Sequence, residues 1–143
     1  MQVKNELRSK KYKLLLLIGR PGAGKSKFLH NYSKENGIPI LDLDNILGDK
    51  IPLNKDANYV YDFIRGFLKT YKPEEILIDK KKILYQEDSP IDLLDFLKEL
   101  STKKTVITTW NGYIKDDKLV HVHDNVEVEY DLASLNCAYF ELK

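Results

Sequence analysis

Five consecutive apolar residues, Leu14 to Ile18, run directly into Gly19-Arg20-Pro21-Gly22-Ala23-Gly24-Lys25-Ser26, with a mixed polar and apolar stretch behind them. An uninterrupted apolar run is the pattern of a strand covered on both faces, the condition met inside a mostly parallel sheet. Lys25 to Asn36 reads as a helix, closed by Gly37 at the position that favours a left-handed C-cap. Strand, glycine-rich turn and helix in that order point to an α/β fold. The turn fits G-x-x-x-x-G-K-[ST] at every fixed position, and each fixed position has its own chemical reason. The glycines let backbone N–H groups point inward as a nest for phosphate oxygens. The helix behind them adds the positive end of its dipole. A lysine at position 25 brings an ammonium to β- and γ-phosphates, and the Ser26 hydroxyl is suited to ligate Mg2+. The expected nucleotide contacts are therefore Gly19, Arg20, Pro21, Gly22, Ala23, Gly24, Lys25, Ser26 and Lys27, with ATP and Mg2+ as expected ligands.

The rest of the chain continues the alternation of strands and helices. Ile38 to Leu43 is a second strand candidate with Asp42 and Asp44 at its far end, and Lys50 to Asp56 reads as loop. Asn58 to Tyr71 carries Tyr59, Phe63, Phe67 and Leu68 at helical spacing and stops before Pro73. Glu75 to Asp79 is a third strand. Ser89-Pro90-Ile91-Asp92 looks like a helix start, with Ser89 at the N-cap, Pro90 at N1 and an acid at N3. Ile91, Leu94, Leu97 and Leu100 then form one buried stripe. Thr105 to Trp110 is a β-branched fourth strand, Asn111-Gly112 marks a turn, and Leu119 to His123 is a short fifth strand. Asn125 to Tyr130 alternates apolar with acidic residues, as a half-exposed strand does. The expectation is one domain over residues 1–143: a three-layer, P-loop NTPase-like fold with a mostly parallel five-stranded sheet. A basic segment, 1–11, precedes it, and too little chain follows Tyr130 for a helical lid.

A second candidate for the metal lies at Glu75-Ile76-Leu77-Ile78-Asp79, an apolar strand ending in an acid, the Walker B pattern. Such an aspartate holds Mg2+, usually through its water shell. Ser26 and Asp79 are thus the metal candidates, and Lys25, Asp79 and Asn111 the catalytic ones. Many P-loop ATPases place a glutamate next in the chain to polarise the attacking water, but here the next residues are Lys80, Lys81 and Lys82. Glu75, Glu87 or Asp88 is then left to supply the acid, or hydrolysis is slow, or a partner completes the site. The lysine run itself reads as a solvated loop rather than a nucleic-acid patch. Thr108, Thr109 and Asn111, at the end of the fourth strand, suit a sensor of the γ-phosphate; Asn111-Gly112 equally suits a tight turn.

Other residues carry weaker signals. Asp42 and Asp44 are candidates for metal or acceptor binding in a small-molecule kinase, against a polar strand end with Asp44 as an N-cap. His121 and His123 share one strand face, but no third metal ligand is indicated. Arg65 fits either a trans-acting arginine finger or an ordinary surface arginine. Trp110, Phe63 and Phe67 read as core.

Composition narrows the class of function. Lys and Arg (23) almost balance Asp and Glu (22), so no overall field calls for nucleic acid or an anionic membrane. Cys137 is the sole cysteine, which rules out an internal disulfide and a multi-thiolate metal site, and suits a reducing cytoplasm. The basic start before Leu14 resembles a signal peptide only superficially. Its apolar run is too short and ends in glycine-rich turn rather than a cleavage site.

The later segments are more specific. Ile78-Asp79 to Leu84-Tyr85, Asp88-Ser-Pro-Ile-Asp-Leu-Leu to Leu100-Ser101, Lys104-Thr-Val-Ile-Thr-Thr-Trp-Asn-Gly112 and Glu129-Tyr130 together resemble the BrxF family, small P-loop proteins of type III BREX bacteriophage-exclusion systems. The resemblance spans about Leu14 to Asp131 and is most distinctive at Thr105 to Gly112 and at Glu129-Tyr130. It departs in the lysine-rich segment after Asp79 and at Ser89. The resemblance implies a cytoplasmic ATP-binding component of an antiviral defence complex, with the other BREX proteins as partners. Self-association is compatible with the sequence without being indicated by it, and direct nucleic-acid binding is not indicated. Three functions follow as expectations: an ATPase or nucleotide switch, a kinase of shikimate-kinase type, and a non-catalytic nucleotide-binding scaffold. The kinase lacks any arginine after Arg65 for a lid.

Overall fold

Leu14 to Ile18 are all fully buried, and alternation along the strand sends them to two different cores. In the computed structural model, which describes residues 7, 10–47, 50, 57–85 and 92–142, β1 (Leu14–Gly19) is an interior strand of a mostly parallel sheet. Leu14, Leu16 and Ile18 join one hydrophobic cluster, and Leu15 and Leu17 join another on the opposite face. The expected loop at 51–56, the Ser89-Pro90-Ile91 helix start, the alternative acids Glu87 and Asp88, and most of the basic segment 1–11 lie outside the described residues.

From β1 the chain enters helix α1 (Lys25–Asn36), which Gly37 closes in the left-handed conformation. Strand β2 (Ile40–Asp42) follows, shorter than the sequence suggests, because Leu43 already begins the short helix α2 (Leu43–Leu47). The cap of α2 is Asp42 rather than Asp44, since its carboxylate accepts from Asn45 N at 3.0 Å. Helix α3 (Ala57–Lys69) leads to β3 (Glu75–Asp79), a 3₁₀ turn at Lys82–Leu84, and helix α4 (Leu93–Leu100). The N-cap of α4 is Asp92, which the sequence placed inside the helix. Its extended backbone leaves the carboxylate to accept from Leu94 N at 2.9 Å, and Tyr130 donates to its other oxygen at 2.7 Å.

Strand β4 (Thr105–Lys115) runs straight through Asn111-Gly112, where a turn was expected. A side chain at Gly112 would collide with the Val120 carbonyl oxygen, so the glycine answers a close strand approach rather than a turn. The chain reverses later, at Asp116 and Asp117, both at positive φ, into β5 (Lys118–His123). It reverses again at Asp124 and Asn125, also at positive φ, into β6 (Val126–Asp131). Two consecutive positive-φ residues are the I′ hairpin pattern, and Asp and Asn tolerate it better than other non-glycine residues. A short β7 (Ala138–Glu141) ends the described chain.

The parallel strands lie in the order β2-β3-β4-β1-β7, and β5 and β6 extend β4 as an antiparallel ribbon. The parallel part does contain five strands, but β7 takes the place that the sequence gave to Leu119–His123. Helices cover both faces. Leu29 of α1 packs with Leu15, Leu17, Leu77 and Ile107, while Tyr61 and Ile64 of α3 and Phe96 and Leu97 of α4 pack with Leu16, Ile78 and Trp110. In parallel register Gly19 is level with Asn111 and Asp42 with Asp79. The carboxyl ends of these strands therefore open on one edge, the general location of ligand sites in open α/β sheets. No helix among the described residues is long and apolar enough to cross a membrane.

Candidate functional site

The loop between β1 and α1 takes the shape its glycines permit. Gly22 and Gly24 have φ of 87° and 97°, a region that side chains disfavour. Gly24 is the N-cap of α1 and offers no side chain to its first turn, which also holds no acidic residue. The N–H groups at this helix end are therefore left for an outside acceptor. Lys25, the first residue of α1, curls back so that Nζ donates to Gly19 O at 2.7 Å and Arg20 O at 2.9 Å. Burial lowers its pKa, with the nearby Asp79 charge opposing the shift.

Asp79 stands at the carboxyl end of β3, with β4 between it and β1. Ser26 Oγ donates to Asp79 Oδ2 at 2.8 Å, and Thr109 Oγ1 of β4 donates to Asp79 Oδ1 at 3.1 Å. The two metal candidates of the sequence are thus in direct contact, and a second hydroxyl, that of Thr109, joins them. Thr108, one residue earlier, faces away and gives its hydroxyl to Ile78 O at 3.0 Å. Asn111 lines the same cleft as Lys25 and Asp79.

The lysine run is solvent-exposed at Lys80 and Lys82, as expected, but not at Lys81. Lys80 takes a positive φ of 50°, fixed by its N–H on Asp79 Oδ1 at 2.9 Å and by its carbonyl, which accepts from Asp44 N at 3.0 Å. This left-handed step turns Lys80 outward and Lys81 inward. Lys81 is only 2% exposed, and its Nζ donates to the Thr109 carbonyl and, at 3.2 Å, to Thr109 Oγ1. Burial lowers its pKa to about 8, partly offset by Asp79. Sequence reasoning missed this residue, for an outward and an inward lysine look alike in a run of three. Asp44, seen as a weak candidate, accepts from Lys82 N and Ile83 N at 3.0 and 2.8 Å and so anchors the 3₁₀ turn.

These groups line a cleft of about 600 Å³ whose charged lining is five lysines (25, 27, 80, 81, 82) against two carboxylates (Asp44, Asp79). Such a surplus favours a polyanion. Tyr85 closes one side, with His121 and His123 edge-on to its ring at 4.9 and 4.5 Å. His121 is 5% exposed and its Nε2 has no hydrogen-bond partner; burial, helped by the Lys81 charge, lowers its pKa to about 4. No group of three His, Cys, Asp or Glu suited to a metal occurs among the described residues, so the histidine pair gains no third ligand.

Other candidates are elsewhere. Glu75 is at the opposite end of β3 from Asp79 and accepts from the Tyr32 hydroxyl at 2.7 Å, which removes it as a hydrolytic acid for this cleft. Arg65 is held by Glu99 through Nε and Nη2 at 2.6 and 2.9 Å and by Asp62 at 2.7 Å, the surface-arginine reading rather than a free finger. Trp110 is fully buried and donates to Val120 O at 3.2 Å, while Phe63 and Phe67 pack partly buried against the same core.

The donor set fits the expected ligands on its own chemistry. Positive-φ glycines and an uncapped helix end suit phosphate oxygens, and a hydroxyl paired with a carboxylate suits a hydrated divalent cation. No family model, curated protein or solved structure matches the chain.

Proposed function

We propose that this chain is a P-loop protein that binds Mg-nucleoside triphosphate, ATP in the first instance, and turns it over slowly if at all. The observation that carries the reading is the contact of Ser26 Oγ with Asp79 Oδ2 at 2.8 Å, beside a glycine loop and a buried lysine. In this reading the N–H groups around Gly22 to Ser26 hold phosphate oxygens, and Lys25 exchanges its loop carbonyls for the β- and γ-phosphates. Ser26 and Asp79 hold Mg2+, which would neutralise phosphate charge. Lys81 supplies a second internal cation on the γ side, and Thr109 links it to Asp79, so a change at the γ-phosphate can be felt by both β3 and β4. The parallel order of the sheet, with helices on both faces, is compatible with the three-layer P-loop NTPase-like fold.

Slow turnover is read from Lys80, which stands where many P-loop ATPases place a catalytic glutamate, and agrees with the described acids of the cleft. Among the described residues only Asp44 and Asp79 are such acids, and both oxygens of Asp44 are used by the backbone of the 3₁₀ turn. A switch or scaffold is therefore favoured over a fast ATPase. The kinase reading loses its motive, because Asp42 caps α2 and Asp44 anchors 82–83. Membership of a BREX defence complex, with cytoplasmic location and BREX partners, rests on the resemblance to BrxF alone.

The test is calorimetric titration of ATP and ADP, with and without Mg2+, into wild type, Asp79→Asn and Lys81→Met. Asp79→Asn should abolish the gain in affinity given by Mg2+. Lys81→Met should weaken ATP roughly tenfold more than ADP, the scale of one lost charge-assisted contact. Unchanged Mg2+ dependence in Asp79→Asn would remove the metal site from the reading.

A further inference from the structure

The phosphate loop has a second flank. A cleft of about 610 Å³, equal in size to the first, lies on its other side between the loop, the Gly112–Lys115 end of β4, and Glu141-Leu142. The two clefts share Pro21 and Gly22, so the loop lies between them as a common wall. Their chemistry differs. The first holds the hydroxyl, the carboxylate and the lysine surplus that suit terminal phosphates and a cation. The second has the charges of Arg20, Lys115 and Glu141, and adds the aromatic ring of Tyr113. The Arg20 guanidinium lies over the Tyr113 ring at 4.5 Å, and the exposed Tyr113 hydroxyl donates to Glu127. Glu141 accepts from Ile114 N at 3.2 Å and so ties β7 to the far wall.

We propose that this second cleft is the nucleoside site: a purine base stacks against the Tyr113–Arg20 pair while its phosphates cross the loop toward Lys25 and Ser26. Aromatic and guanidinium planes are the groups on which bases stack with little regard to sequence. The proposal rests on the phosphate-loop reading, and the experiment separates the two.

Inorganic tripolyphosphate and ATP are titrated into wild type, Tyr113→Ala and Tyr113→Phe, with thermal melts as a check on folding. Wild type should bind ATP more tightly than tripolyphosphate. Tyr113→Ala should lose about tenfold in ATP affinity, the equivalent of one base–aromatic stack, and keep its tripolyphosphate affinity. Tyr113→Phe should stay close to wild type. Photolabelling of wild type with 8-azido-ATP gives an answer that needs no variant: the label should fall on 112–115. ATP no tighter than tripolyphosphate, equal losses of both in Tyr113→Ala, or a label on Tyr85 would overturn the nucleoside site. If neither ligand binds wild type, the phosphate loop itself falls, and the nucleoside site with it.

Discussion

Thr109 joins two charges that no sequence pattern joins. Its hydroxyl donates to Asp79, and the same oxygen, with its carbonyl, receives Lys81. The effect of a buried charge on its neighbours is clearest at His121. Its pKa is lowered to about 4 by burial and by Lys81, against an ordinary value of 6.5, so the folded protein keeps it neutral where an unfolded chain would protonate it. Between those values the unfolded state binds more protons, and stability therefore falls as pH drops from 6.5 toward 4. At 1.36 kcal/mol per pH unit, this residue accounts for a loss of about 3 kcal/mol at most across that window. Urea denaturation of wild type and His121→Phe at pH 7 and pH 5 measures it, and wild type should lose more stability than the variant over that interval. An equal loss in both would assign the acid sensitivity to other groups. None of this was legible in the sequence, where His121 and His123 show only as two residues on one strand face. Their neighbours Tyr85, Trp110 and Lys81 come from other elements.

At the scale of elements, what is local was legible and what is tertiary was not. The strand, loop and helix from Leu14 to Asn36 keep close to their expected bounds, because burial on both faces, glycine conformation and helix capping all act within a few residues. Asn111-Gly112 shows the converse. The dipeptide has the composition of a turn, but Gly112 is required by the passage of β5 against β4, a contact that depends on a hairpin further along. The true reversals use Asp116-Asp117 and Asp124-Asn125. Gly112→Ala should therefore force β4 and β5 apart and cost about 1–3 kcal/mol or more, as overpacked sites do. Thermal unfolding followed by circular dichroism checks it, with a fall in Tm of roughly 2–8 °C for each kcal/mol lost. A variant as stable as wild type would mean that the two strands do not approach as described. Asp92 was misplaced for a related reason: its capping role depends on an extended backbone and on Tyr130, which arrives from β6.

The whole molecule gathers its chemistry at the carboxyl edge of the parallel sheet. Gly19, Asp42, Asp79, Thr109 and Asn111 reach that edge from β1, β2, β3 and β4, and the loop before α1 divides it into two clefts. The outline was legible, since alternating strands and helices with one glycine-rich turn leave few other arrangements. The place of β7 beside β1 was not, because four residues near the end of the chain give too short a pattern to read. All of these features meet in one claim, that the loop binds nucleotide phosphates with Lys25 as an obligatory cation. Lys25 is held by two loop carbonyls that phosphate would replace, so its removal should cost affinity without unfolding the chain. The most direct measurement is isothermal titration of Mg-ATP into wild type and Lys25→Ala at equal thermal stability. A phosphate loop predicts saturable one-to-one binding to wild type and a loss of at least about a hundredfold, near 2.7 kcal/mol, in the variant. Equal affinity in the two proteins, or no binding to wild type, would contradict it.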